Sequence, residues 1–228
     1  MCSSDLAIGA YAMQYANSKS TNFNSWNTAV GAFALRGSTT PANNTGTHNT
    51  AIGYNSMRDN TSGQQNVAVG MQTLYLNTTG VQNVAIGNNS LYDNSGGYAN
   101  TVVGYQVMRF NTTGNENTAT GAGVMRDNTT GSFNVVYGRW ALDANKTGNY
   151  ATAVGYESMR YSNSTATSFD NFNVSFGYQA LRGSTTAASN TGNNNTAIGT
   201  QSLMNYTSGG NNTALGYLAG DIVTTGTD

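Results

Sequence analysis

His48 is the only histidine in the chain, so any proton transfer or metal ligation would rest on carboxylates. Asp59, Asp93 and Asp127 are the one set that shares a repeated place in the sequence, and Arg58 and Arg126 sit directly beside two of them. They fall in alternate repeat units. At ~4.8 Å per stacked unit, neighbours would lie about 10 Å apart on an exposed turn. A glycosidase-like carboxylate pair was the chemistry worth testing against this spacing, and a solvated charged edge accounts for it better. Glu116, Asp143, Glu157, Asp170 and Asp221 are scattered over other units. The sequence therefore reads as no enzyme, with no catalytic, cofactor-binding or metal-ligating set.

Aromatic and cationic residues offer a second kind of chemistry, that of binding. Arg36, Arg58, Arg109, Arg126, Arg160 and Arg182 each follow a Leu or Met at one repeated place, where Tyr75 and Tyr92 also stand. Tyr54, Tyr105, Tyr156, Tyr178 and Tyr217 follow a repeated glycine. Both rows read as a solvated face on which Arg stacks over Tyr, each exposed contact contributing ~0.5–1 kcal/mol. A specific site is better sought where the repeat is broken. Phe23, Trp26, Phe169 and Phe172 stand in turns otherwise built of Asn, Thr and Gly, and Tyr137-Gly138-Arg139-Trp140 replaces a small or polar surface. Phe23, Trp26, Phe169, Phe172, Arg139 and Trp140 are thus the candidate ligand-binding residues, able to stack on sugar faces and bond hydroxyls. The competing expectation is that these aromatics fold inward and pin their own loops.

The element that must position all of these is a short repeat, clearest at Asn83-Val84-Ala85-Ile86-Gly87. Its glycine recurs at 9, 31, 53, 70, 87, 104, 121, 138, 155, 177, 199 and 216, in steps of 17 or 22 residues. A fixed period of this size marks a solenoid, whose units must stack to bury a core. The expected fold is all-β: a parallel β-solenoid of about twelve 17- or 22-residue coils, with room for a helical turn per coil at places such as Tyr178-Gln179-Ala180-Leu181. Four residues past the glycine stands Leu or Met, from Met13 to Leu203, with only Gly220 of the last unit breaking the row, and this reads as the core knob of each coil. Period-two alternation in the pentapeptide puts Thr/Val and Ile/Val on one face and Ala on the other. Either face can be the interior. Asn-Thr-Thr-Gly stretches are turn chemistry, and the asparagines at strand entry are placed to form an amide ladder. Their Asn-X-Ser/Thr sequons read as a by-product of turn composition.

Four units are longer by five residues, beginning at Gly9, Gly31, Gly155 and Gly177. The two adjacent pairs are offset by 146 residues, and Leu35-Arg36-Gly37-Ser38-Thr39-Thr40 returns as Leu181-Arg182-Gly183-Ser184-Thr185-Thr186. Residues 1–6 look like a translated sequencing-adapter end of the metagenomic kind. The expectation is therefore a scar at 1–6 and one continuous solenoid over 7–228, truncated at both ends. Only 8% of the 228 residues are charged and the net charge is −1, which argues against a nucleic-acid partner. No apolar run approaches the ~18 residues of a membrane span. Cys2 is the single cysteine, so no internal disulfide forms.

The Asn-Thr-Ala-Ile-Gly units resemble the head repeats of trimeric autotransporter adhesins and, more closely, the Asn-Thr-Thr-Gly-rich repeats of bacteriophage tail fibres. The resemblance covers the chain from Ala7 onward, with coils longer than those of adhesin heads. It implies a left-handed parallel β-roll, a homotrimer, and an extracellular place on a bacterial surface or a virion. It also implies a structural and attachment role, with host-surface glycans as the partner. A different class, an ice- or mineral-binding solenoid with a flat Thr/Asn face, is suggested by Thr28, Thr50, Thr101, Thr118, Thr152, Thr196 and Thr213. Val67, Val84, Val135 and Val174 interrupt that row, as at a packed β position where a γ-methyl counts more than a hydroxyl.

Overall fold

The computed structural model describes residues 4–15, 24–162, 167–221 and 224–226. The chain divides into two compact units, residues 1–113 and 114–228, and each is a parallel β-solenoid.

In the first unit each coil contributes one three-residue strand: β1 (Leu6–Ile8), β2 (Thr28–Val30), β3 (Thr50–Ile52), β4 (Val67–Val69), β5 (Val84–Ile86) and β6 (Thr101–Val103). They pair in parallel and in strict register, so that Ala7, Ala29, Ala51, Ala68, Ala85 and Val102 form one row. That row settles which face is the interior. Ala29, Ala51, Ala68 and Ala85 are buried, whereas Ile52, Ile86 and Val103 are exposed. The small wall residue leaves room for the knob across the coil. Met57, Leu74, Leu91 and Met108 fill that space and are fully buried.

The second unit repeats the plan with β7 (Thr118–Thr120), β8 (Val135–Tyr137), β10 (Thr152–Val154), β12 (Val174–Phe176), β13 (Thr196–Ile198) and β14 (Thr213–Leu215). A small second sheet pairs β9 (Gly148–Asn149) with β11 (Phe169–Asp170). Its core knobs are Met125, Leu142, Met159, Leu181 and Leu203.

The segment after each key glycine forms neither a strand nor a helical turn. At Tyr178–Leu181 the chain makes successive turns, with Gln179 at φ 55° and Leu181 at φ 48°. The same left-handed backbone recurs in the other coils, for example at Gln72 and Leu74. Such residues cost roughly 1–2 kcal/mol each relative to right-handed ones. The compensation is visible in the hydrogen bonds. Gln72 N–H donates to Tyr54 O in the preceding coil at 2.9 Å, and Leu74 N–H to Ser90 O in the following coil at 3.0 Å. Alternating hand turns successive peptide groups up and down the stack, and a helix would satisfy them within one coil instead.

The glycine row is explained by contact. Gly70 has φ 135°, and a β-carbon there would lie 2.8 Å from the carbonyl of Gly87 in the next coil. Two asparagine ladders run inside the first unit. At strand entry, Asn49, Asn66, Asn83 and Asn100 are fully buried and linked coil to coil. In the turn, Asn60, Asn77, Asn94 and Asn111 form a second ladder. The sequon asparagines Asn60, Asn77 and Asn111 therefore spend their side chains in the interior.

In the long coils beginning at Gly31 and Gly177 the extra residues fold identically. A 3-10 turn at Pro41–Asn43 matches one at Ala187–Ser189. Asn44 bonds Ser38 and Tyr15, and Asn190 bonds Ser184 and Tyr161 in the same way. The 146-residue offset of the sequence is thus a structural repeat as well.

Candidate functional site

Because Ala faces inward, the first and third strand places face out. In the twelve three-residue strands these outward places are Thr or apolar, and none is charged. The exposed members include Ile52, Ile86 and Val103 in the first unit and Val135, Tyr137, Val174, Phe176 and Ile198 in the second. The tyrosines that follow the key glycine extend this face: Tyr54 and Tyr105 in the first unit, Tyr156 and Tyr178 in the second, are all exposed. Each unit therefore presents an uncharged face that repeats coil after coil.

The candidate residues from the broken repeats fare differently from one another. Trp26 is 53% exposed and stacks on His48 with ring centroids 4.9 Å apart. Phe172 is 49% exposed and stacks on Tyr150, which stacks in turn on Phe133 at 5.1 Å. Phe169 packs in β11 beside Gly148, where a β-carbon would lie 2.7 Å from its ring. Its side chain is half-buried. Phe23 lies outside the described residues. Trp140 is half-buried, with the Arg139 guanidinium 3.8 Å and the Arg160 guanidinium 4.6 Å from its ring centroid. Gly123, one coil back, makes room for it: a β-carbon there would lie 2.8 Å from the indole.

Sequence reasoning passed over His48, Phe133 and Tyr150. A signal was present, since all three stand in the residue just before strand entry, as do Trp26 and Phe172. That residue has positive φ in each case, and its side chain is thrown outward. Stacking at interplanar angles of 5° and 10° hides the facing sides of the Phe133, Tyr150 and Phe172 rings. The three rings remain 42%, 44% and 49% exposed, which leaves ring surface for a ligand.

The carboxylates are less scattered than the sequence suggests. In the second unit Asp143 takes the Arg place of its coil, so it sits between Arg126 (3.5 Å) and Arg160 (3.8 Å). Glu157 pairs with Arg160 and, at 3.2 Å, with Arg182. Arg126 also pairs with Asp127 at 3.0 Å. Both Asp143 and Glu157 are buried. Loss of hydration pushes the Asp143 carboxyl up to about 6, against the pull of Arg126 and Arg160. In the first unit Arg58 grips Asp59 through two hydrogen bonds of 2.7 Å, which hold its guanidinium above its usual range. Arg58 also lies over Tyr75, which stacks on Tyr92. Every carboxylate of these networks is spent on an arginine, and no group of three or more His, Cys, Asp or Glu suited to a metal ion occurs among the described residues. No helix among the described residues is long and apolar enough to cross a membrane.

The geometry defines a class: parallel β-solenoid units with an uncharged outward strand face and local aromatic stacks. The chain matches no family model, no curated protein and no solved structure.

Proposed function

We propose that the chain is a structural and surface-attachment segment of an extracellular fibre, of the phage tail-fibre or bacterial-adhesin kind, that works as a homotrimer and holds host-surface glycans. The observation that carries this reading is the outward strand face. Ile52, Ile86 and Val103 repeat along it with no charge between them, and contiguous apolar surface of this kind calls for a partner. A second copy of the same chain has the same coil spacing, so its rows stay in register along the contact. Glycan binding rests on Trp26 and Phe172, whose rings stand exposed at the broken repeats. Light scattering should give three chains for the wild type. Ile86→Lys should shift the mass toward one chain with an unchanged circular dichroism spectrum. A one-chain wild type overturns the proposal.

A second reading uses the same face. Thr28, Thr50 and Thr101 point outward beside the apolar row, as an ice- or mineral-binding surface would require. The two readings exclude one another, because a trimer contact covers the face that ice would touch. Thermal hysteresis from a one-chain species at micromolar protein would select the second.

A further inference from the structure

Asn60 opens the turn ladder of the first unit. Its Oδ1 accepts from Asn77 Nδ2 at 2.8 Å, and its Nδ2 donates to Gly63 O at 3.1 Å. Asn77 and Asn94 each divide their two amide hydrogens in one way. One goes to the glycine carbonyl of the same turn, the other to the Oδ1 one coil back. By the same geometry the second hydrogen of Asn60 points one coil back. That coil is a long one, and Ser38 stands there in the ladder's place, three residues past Leu35. Three successive coils wall a cavity of about 20 Å³, whose lining includes Met13, Ser25, Asn27, Leu35, Asn44, Gly46 and Asn60. A single water needs roughly 10–15 Å³ by this measure, with polar partners around it.

We infer that this cavity is a structural water site, at which one water accepts the second amide hydrogen of Asn60 and donates toward the Gly46 carbonyl. Gly46 lines the cavity, and its carbonyl already accepts one bond, from Asn27 Nδ2 at 2.9 Å. The second unit supplies an internal comparison. At an offset of 146 residues seven of the nine wall residues recur unchanged, among them Met159, Asn173, Leu181, Asn190 and Gly192. The two that differ are Ser25, whose counterpart is Asn171, and Asn60, whose counterpart is Tyr206. Tyr206 is fully buried, and its hydroxyl lies beside Ser162 without hydrogen-bond geometry. Two larger buried side chains, Tyr206 and Asn171, thus stand at the places of Asn60 and Ser25. The exchange has a reason in the ladder. Asn77 needs the Oδ1 of Asn60, so a ring cannot stand at position 60. Seventeen residues past Tyr206 the sequence has Val223 instead of Asn, and no ladder depends on position 206.

A high-resolution crystal structure of the 228-residue chain tests this. One ordered water is expected within hydrogen-bond distance of Asn60 Nδ2, and in solution the Asn60 side-chain amide should show a cross-peak to bound water. Tyr206→Asn should lower Tm by several degrees and admit a water at the equivalent place in the second unit. A well-ordered Asn60 with no water beside it, or a side chain from residues 16–23 seated in the cavity, overturns the inference. The wild-type measurement decides it even where Tyr206→Asn fails to fold.

Discussion

Asn83 Nδ2 donates to Asn66 Oδ1 at 3.1 Å and to Gly97 O at 2.8 Å, while Asn83 Oδ1 accepts both the backbone and the side-chain N–H of Asn100. One fully buried amide therefore closes four hydrogen bonds across three coils. Asn83→Ala removes the acceptor of the Asn100 backbone N–H and leaves the Gly97 carbonyl with Asn94 Nδ2 as its side-chain donor, and should cost about 2–4 kcal/mol by urea unfolding. Asn83→Asp should do no better near neutral pH. It removes the two donors and sets a buried carboxylate against the oxygens of Asn66 and Gly97.

Glycine positions separate by what surrounds them. Gly70→Ala must place a β-carbon 2.8 Å from the Gly87 carbonyl at φ 135°, so a loss of roughly 3–5 kcal/mol is expected. Gly96 is different. A β-carbon there would meet nothing closer than Thr79 Oγ1 at 3.4 Å, and the matching places hold Ser62, Thr79, Thr113 and Thr130. Gly96→Thr should leave stability unchanged or raise it by about 0.5 kcal/mol, through a less flexible unfolded chain. Equal losses at both positions would refute the close-contact account of the glycine row.

Much of this was legible in the sequence because stacking converts period into contact. The interval between Gly70 and Gly87 is one coil, and the Leu/Met knobs and the strand-entry Asn ladder follow from it. Three things were not legible. Which strand face is the interior depends on the width of the coil, and Ala and Ile alternate equally well either way. The left-handed backbone at Leu74 and Gln72 contradicts the intrinsic preference of both residues. It exists only because Ser90 and Tyr54 stand ready in neighbouring coils. The Asp143 network was hidden for a related reason: Asp143 replaces Arg at its place, and a row defined by Arg does not call attention to an acid within it.

Asp143 gives the second unit a pH dependence of unusual sign. Its carboxyl is raised to about 6 by burial, above the ~3.9 of an exposed aspartate. Between those values the folded chain holds a proton that the unfolded chain has lost. The stabilising contribution is thus complete below about pH 4 and is lost as pH rises through about 6. A carboxyl raised from about 3.9 to about 6 corresponds to roughly 3 kcal/mol. Urea unfolding across pH 4–7 should show this decline, and Asp143→Asn should flatten it. A wild type whose stability climbs through that window by an amount that Asp143→Asn removes would show the carboxylate to be held by Arg126 and Arg160 instead.

The last prediction concerns the exposed rings. Trp26 has one face on His48, and Phe172 has one face on Tyr150, yet the two side chains stay 53% and 49% exposed. Sugar binding on them should fall when both rings are removed. Phe172→Ala alone is a weak test, because it uncovers the face of Tyr150 that Phe172 had hidden. Trp26→Ala combined with Tyr150→Ala and Phe172→Ala removes the replacement surface too. All three side chains are exposed, so the triple variant should lose little stability, on the order of 1 kcal/mol for the stacking alone. Binding to host-surface polysaccharide should drop at least tenfold while Tm moves by only a few degrees. Unchanged binding with a large fall in Tm would assign these rings to packing and remove the glycan site from this part of the chain.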